Sequence, residues 1–248
     1  MICLPTKVEY KLTKNGEIEL LLFMKNKEIG AEKEKNPWPT KRAMEQVYSN
    51  GLWGGNKGDF YSGEGSHHPE LVKPYINTLK SFLTSFKKPL VLCDLGCGDF
   101  NVGRQLVKYT RKYIAVDIVP ALIEYNKANF KEENLEFHCL DIAIDSLPSG
   151  DCALLRQVLQ HLSNTEIERI LNKLTDFRYV ILTEHIPEGV FIANKDIISG
   201  QGIRLKKHSG LDLLGPPFNI KVVDKKQLSS INIKDGKGRI VTTQYKMF

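Results

Sequence analysis

The chain has 248 residues, 42% of them hydrophobic and 26% charged, with a formal net charge of +6. This composition belongs to soluble globular proteins with a sizeable core, and Lys and Glu interleave through the first half, so no nucleic-acid footprint stands out. Cys3, Cys93, Cys97, Cys139 and Cys152 sit mostly in apolar runs without paired metal-ligand spacing, so no metal site is expected and the thiols read as buried and free in a reducing cytoplasm. The N-terminus lacks the charged start and apolar core of a secretory leader, and residues 18–24 are far too few to span a bilayer.

Residues 7–24 hold an alternating run, an Asn15-Gly16 turn dipeptide and a second apolar run, which predicts a β-hairpin. Residues 25–35 are charged and aperiodic, and Pro37-Trp-Pro39 stops any helix passing through. A helix is expected from Thr40 to about Asn50. Residues 53–68 are too rich in glycine to be regular. Their aromatic residues predict a mobile lid, or alternatively a long connection anchored by Trp53, Phe60 and Tyr61. His67 and His68 in this loop are candidate substrate contacts, with a structural role as the alternative. Residues 69–86 carry Leu71, Val72, Tyr75, Ile76, Leu79, Phe82 and Leu83 at helical spacing and should cover a sheet.

Val91-Leu-Cys-Asp-Leu-Gly-Cys-Gly-Asp-Phe100 is the stretch that defines the chemistry. It reads as a buried strand running into a glycine turn and a helix over 101–109, a nucleotide-site unit. Gly96 and Gly98 permit a tight turn and close approach of a ligand. The third glycine of a dinucleotide fingerprint is absent, since Asn101 stands in its place. Asp94 would repel a pyrophosphate and welcome an ammonium. Both features favour S-adenosylmethionine over NAD. Asp117 ends the next apolar run about 20 residues on, where an acid can bond both ribose hydroxyls.

The pattern then repeats as strand and helix, implying parallel strands with right-handed crossovers. A helix over 120–130 precedes a strand over 135–140 that closes at Asp141. Asp94, Asp117 and Asp141 should converge at the carboxyl ends of the strands. Asp141 is read as the acceptor for an adenine amine, with Ile118 and Ile142 flanking the ring. A fourth strand over 151–155 leads into the segment from Arg156 to Leu162, in which His161 would follow Gln157 by four residues on one helical face. Ser163 with Glu166 signals the next helix start. A fifth strand over 179–183 delivers Glu184 and His185. Residues 187–217 form an insertion suited to substrate contacts, and the runs 218–224 and 239–247 read as an antiparallel hairpin at the sheet edge.

Asp94-Leu-Gly-Cys-Gly98, Asp117, Asp141 and the Arg156–Leu162 segment resemble the motifs of class I S-adenosylmethionine-dependent methyltransferases. The resemblance covers about residues 60–248. Within that superfamily the chain is similar to a bacterial group that accompanies capsule and surface-glycan genes, marked by Ser62-Gly-Glu-Gly-Ser66, Cys97-Gly-Asp-Phe100, Asn194-Lys-Asp-Ile197 and Pro216-Pro-Phe-Asn219. It implies an α/β, doubly wound Rossmann-like, mostly parallel seven-stranded sheet over 60–248, with residues 1–59 as an N-terminal extension. The cofactor implied is S-adenosylmethionine, with S-adenosylhomocysteine as product. Asp94, Gly96, Gly98, Asp117, Ile118, Asp141, Ile142 and Arg156 would bind it.

Methyl transfer from a sulfonium needs alignment, water exclusion and, for a hydroxyl acceptor, a base. His185, His161 and Gln157 are the candidate catalytic residues, although His161 reads equally as a packing residue. Glu184, Arg204 and Lys206 join His67 and His68 as candidate substrate contacts, the cationic run 202–208 suiting a phosphate or carboxylate. The expected enzyme is therefore a cytoplasmic O-methyltransferase for a small polar metabolite, such as a phosphorylated or nucleotide-linked sugar destined for a surface glycan. A nucleic-acid or protein methyltransferase, or a non-catalytic cofactor-binding protein, is the alternative. No nucleic-acid partner and no membrane span are expected, and the N-terminal hairpin could serve a homodimer as readily as substrate covering.

Overall fold

The computed structural model describes residues 8–12, 18–22, 38–56, 59–233, 236 and 238–248. Two compact units divide the chain, Met1–Asn36 and Pro37–Phe248. In the first, strands β1 (Val8–Leu12) and β2 (Ile18–Leu22) pair antiparallel with Val8 opposite Leu22 and Leu12 opposite Ile18. The turn expected at Asn15-Gly16 and the charged connector 25–35 lie outside the described residues.

The second unit begins with α1 (Thr40–Ser49), followed by the short α2 (Glu64–His67) and α3 (Pro69–Thr84). The series β3 (Val91–Leu95), β4 (Lys112–Asp117), α4 (Pro120–Asn129), β5 (Leu135–Cys139), β6 (Cys152–Arg156), α5 (Asn164–Leu174) and β7 (Tyr179–Ile186) comes next. The hairpin of β8 (Asp224–Asn232) and β9 (Arg239–Lys246) completes it. Seven strands form one sheet in the order β5-β4-β3-β6-β7-β9-β8. The first five are parallel, while β9 runs antiparallel to both β7 and β8. The chain winds outward from β3 to β5, then returns to the other side of β3 as β6. That reversal opens a crevice at the carboxyl ends of β3 and β6.

Strand parity sorts the core into two layers. Cys93, Leu95, Ile114, Val116, Ala153, Leu155, Val180 and Leu182 pack with Ile167, Ile170, Leu171 and Leu174 of α5. The alternate residues Leu92, Tyr113, Ala115, Cys152, Leu154, Tyr179 and Ile181 pack with Tyr75, Leu79, Phe82 and Leu83 of α3. Covering both faces explains why the central strands read as continuous apolar runs. Ser163 caps α5 as its pattern predicts, in a reciprocal capping box with Glu166.

Three elements differ from the sequence reading. Residues 101–109 form two 3-10 turns, Gly103–Gln105 and Val107–Tyr109, in place of a helix. Phe100 adopts a left-handed φ of 61° and the Asp99 carboxylate takes the Asn101 amide, so the chain is committed to a tight turn before a helix can start. The penultimate strand occupies Asp224–Asn232 and not 218–224. Phe218, Ile220 and Val222 alternate because they pack against the core as an irregular segment, whereas β8 itself is largely polar, as an edge strand should be. Finally, β7 continues three residues past Thr183, with Glu184, His185 and Ile186 all paired to β9.

Among the described cysteines all four are free, and Cys93 and Cys152 are buried. Cys139 departs from expectation by being exposed, because β5 is the outer strand on that side. Among the described residues no helix is long and apolar enough to cross a membrane.

Candidate active site

The site starts from β3. Its alternation turns Asp94 away from the layer of Cys93 and Leu95, leaving it buried with Oδ2 accepting a 2.7 Å bond from the Tyr113 hydroxyl. Burial pushes its pKa up to about 6, with Asp117 adding to the rise and the Tyr113 bond opposing it. Gly96 and Gly98 follow with φ of 93° and 58°, a conformation that favours glycine. The amides of Gly96 and Cys97 donate to Val116 O at 2.8 and 2.9 Å, which sews the turn to β4. A Cβ on Gly96 would collide with Val158, and one on Gly98 with the Ser62 hydroxyl.

Asp117 closes β4. Its Oδ2 accepts from Gly98 N at 3.0 Å and its Oδ1 from Val119 N at 3.1 Å, and burial raises its pKa against these bonds. Asp141 stands two residues beyond β5, with Oδ1 accepting from Ala143 N at 2.9 Å. The three acids, from three adjacent strands, line one cavity of about 540 Å³ together with Gly96, Gly98, Ile118 and Ile142.

The glycine-rich segment 62–66 roofs this turn. Ser62 N donates to Asp99 Oδ2 at 2.7 Å while Asp99 N donates to Ser62 Oγ at 2.8 Å. Tyr48 of α1 shares a 2.9 Å hydrogen bond with Ser62 Oγ. Asn101 Nδ2 reaches Ser66 O at 2.8 Å, and Arg156 donates to Ser66 Oγ at 3.1 Å and to Gly65 O. The expected lid is thus tied to the glycine turn by the two Ser62–Asp99 bonds, and to its surroundings by bonds from Tyr48, Asn101 and Arg156. Helix α1, read from sequence as part of a 1–59 extension, falls in the unit that starts at Pro37 and packs Met44, Val47 and Tyr48 against Val119 and Leu122.

Arg156, Gln157, His161, His185 and Lys206 line the other part of the cavity, with Trp53, Gln160, Gln201 and Ile203. Gln157 and His161 do not share a helical face, because Gln157 has φ of 56° and Leu159–His161 is a 3-10 turn. Both nevertheless reach the cavity.

Four expected contacts lie outside the cavity lining. His67 Nε2 binds Asp99 Oδ2 at 2.6 Å and its ring stacks on Tyr61, centroids 4.2 Å apart. His68 caps α3, its Nδ1 accepting from Glu70 N at 3.3 Å. Glu184 shares the parity of Leu182 and accepts from Leu159 N at 3.0 Å and Gln160 N at 3.2 Å, while burial pushes its pKa up to about 8. Arg204 is 1% exposed and donates to Leu159 O, Leu162 O and Asn164 Oδ1. Of the cationic run, Lys206 is the member that lines the cavity.

Sequence reasoning missed Tyr48, Ser62, Asp99 and Gln160, all of which line the cavity. Ser62 and Asp99 belong to two of the four marker motifs, and these motifs meet in pairs. Ser62 bonds Asp99, and Asn194 Nδ2 bonds Asp212 O at 2.7 Å and Pro216 O at 2.9 Å, closing the insertion on itself. Among the described residues no cluster of three or more His, Cys, Asp or Glu could hold a metal.

Residues 92–177 match the methyltransferase domain family. A malonyl-[acyl-carrier protein] O-methyltransferase from Acetivibrio thermocellus is 36% identical over 78 residues, spanning 30% of this chain and 28% of that protein. Among solved structures, the N-methyltransferase NodS of Bradyrhizobium japonicum WM9 with S-adenosylhomocysteine superposes with a TM-score of 0.59. It is 11% identical, over 82% of this chain and 98% of that one. The 1,6-didemethyltoxoflavin-N1-methyltransferase of Burkholderia thailandensis gives 0.52 at 16% identity, over 84% and 87%.

The fold is that of class I methyltransferases, whose cofactor is S-adenosylmethionine, and residues 92–177 match a methyltransferase domain. The site suits that cofactor. Its volume falls within the roughly 300–1,000 Å³ of small-molecule sites. Its buried carboxylates complement a ligand with a cationic end, and its glycines admit close backbone approach.

Proposed function

We propose that the protein methylates an oxygen of a small polar or anionic acceptor, a sugar or phosphoryl-bearing precursor of a bacterial surface polysaccharide. The observation that carries this reading is the continuity of one cavity from the three acids to His185, Gln157 and Lys206. A donor and a small acceptor can share such a space with water largely excluded. The glycan context rests on the four marker motifs, which pair as Ser62 with Asp99 and Asn194 with Pro216.

Bound S-adenosylmethionine supplies an electrophilic methyl group on a sulfonium. Asp117 would hold the ribose hydroxyls, Asp141 the adenine amine between Ile118 and Ile142, and Asp94 the ammonium end. Arg156 holds the roof segment at Ser66 and Gly65. His185 would receive the acceptor's hydroxyl proton, and Lys206 at the rim would hold an anionic group of the acceptor.

Calorimetry with S-adenosylhomocysteine tests the cofactor half, and an absence of heat with either that ligand or the methyl donor removes it. Sugar phosphates and nucleotide sugars incubated with isotope-labelled donor test the acceptor half by mass spectrometry. Label appearing only on other acceptor classes overturns that half alone.

A pH dependence follows from Asp94. Its carboxylate attracts a cationic ligand and its neutral form does not, so ligand binding and protonation compete. With its pKa near 6 in the free site, affinity for the methyl donor should rise from about pH 5 to about pH 7, by at most about tenfold per unit, then level off. Asp94→Asn should bind weakly and lose this slope. Titration calorimetry across that range checks both.

A further inference from the structure

His161 lies at the junction of three segments. Its Nδ1 is 3.2 Å from both Gly200 O and Gly202 O. Carbonyl oxygens only accept, so Nδ1 carries a hydrogen. In a neutral ring Nε2 then holds a lone pair, and Gln160 Nε2 stands 3.3 Å away to donate to it. The orientation of the Gln160 amide is fixed independently, because its Oε1 accepts from His185 N at 3.1 Å. A directed chain results, from the His185 amide through Gln160 and the His161 ring to the carbonyls of the insertion. Gly200 N donates back to His161 O at 3.0 Å.

The surroundings keep the ring neutral. Burial pushes its pKa down to about 4, and Arg204 acts in the same direction. The indole of Trp53 packs on it with centroids 5.1 Å apart. Between the two carbonyls, Gln201 donates to Leu52 O at 2.9 Å. Gln201, Ile203 and Lys206 all line the cavity. Whatever holds Gly200 and Gly202 therefore sets that wall.

We infer that His161 is a positioning residue and not the base, a neutral Nδ1-protonated imidazole that with Gln160 ties the cavity-facing segment 200–206 to the His185 end of β7. That this segment would face a methyl acceptor rests on the methyltransferase reading, whereas the tautomer and the tie do not.

Long-range proton–nitrogen NMR on the full-length protein tests the tautomer, with His161→Asn assigning the signal. The expected pattern is a neutral, Nδ1-protonated ring at pH 7 that persists to about pH 5.5. A charged or Nε2-protonated His161 at pH 7 overturns the inference. Should the variant fail to fold, the wild-type spectrum must still contain one such non-titrating histidine, and its absence is equally decisive.

Trypsin tests the tie, because Lys206 and Lys207 are exposed. Cleavage there should quicken about tenfold in His161→Ala, the size of one lost hydrogen bond. His161→Asn should return it to within about threefold, since its amide can replace the Nδ1 donor. A wild-type rate in His161→Ala, or equal acceleration in both variants, overturns the tie. S-adenosylhomocysteine calorimetry on the same wild-type sample reports separately on the cofactor reading, so the two can fail independently.

Discussion

Asp117→Ala should weaken S-adenosylhomocysteine binding about a hundredfold or more. A hydrogen bond to a charged group contributes roughly 1.5–3 kcal/mol, and the proposed role gives this carboxylate two ribose hydroxyls. The side chain also holds the turn itself, since Gly98 N and Val119 N donate to its two oxygens. Truncation therefore removes ligand contacts and frees the glycine amide that shapes the floor of the site. Asp117→Asn separates the two effects, because its remaining carbonyl oxygen can keep one of the backbone bonds while its amide nitrogen loses the other. It should fall between wild type and Asp117→Ala in calorimetric titration. An alanine variant within threefold of wild type would remove Asp117 from the cofactor site.

Arg204→Ala should destabilise the fold by about 3–5 kcal/mol, because it removes three hydrogen bonds from a buried charged donor, each contributing about 1.5 kcal/mol. The 3-10 turn Leu159–His161 is held from two sides. Arg204 takes the carbonyls of Leu159 and Leu162 at 3.0 and 2.7 Å, and Glu184 takes the amides of Leu159 and Gln160. Removing the guanidinium takes this donor from Leu162 O and Asn164 Oδ1, leaves Leu159 O with its bond from Leu162 N, and deprives Glu184 of its cationic neighbour. Lysine should recover little, because a single ammonium cannot span three acceptors set out for a fork. Urea denaturation measures the loss, and a change below about 1 kcal/mol would refute the two-sided clamp.

The sheet and its ligand end were legible because the central strands are buried on both faces and end in acids. That pattern needs no tertiary information to read. Asp94, Asp117 and Asp141 reach one cavity for the same reason, since parallel strands put their carboxyl ends together. The polar residues outside the strands were harder. Arg204 and Lys206 are two residues apart and chemically alike, yet one is 1% exposed and the other lines the cavity mouth. Composition says nothing about which way each points. Glu184 and His185 could have been separated, because neighbours in a strand face opposite sides, but only with the strand drawn as far as Ile186. Asp99 and Ser62 were hidden by their distance of 37 residues, since each has meaning only opposite the other.

The placement of β9 between β7 and β8 bears on how the molecule is made. A ribosome delivers β8 before β9, but among the described strands β8 pairs only with β9, so the earlier segment must wait for the later one. During that interval β8 is an exposed, unpaired strand of the kind that recruits wrong partners. Its sequence, Asp-Lys-Lys-Gln-Leu-Ser-Ser-Ile-Asn, has only two apolar residues in nine and opens with three charges. The polarity that hid β8 from a hydrophobic-pattern reading is what lets the nascent chain hold it in water until its partner emerges.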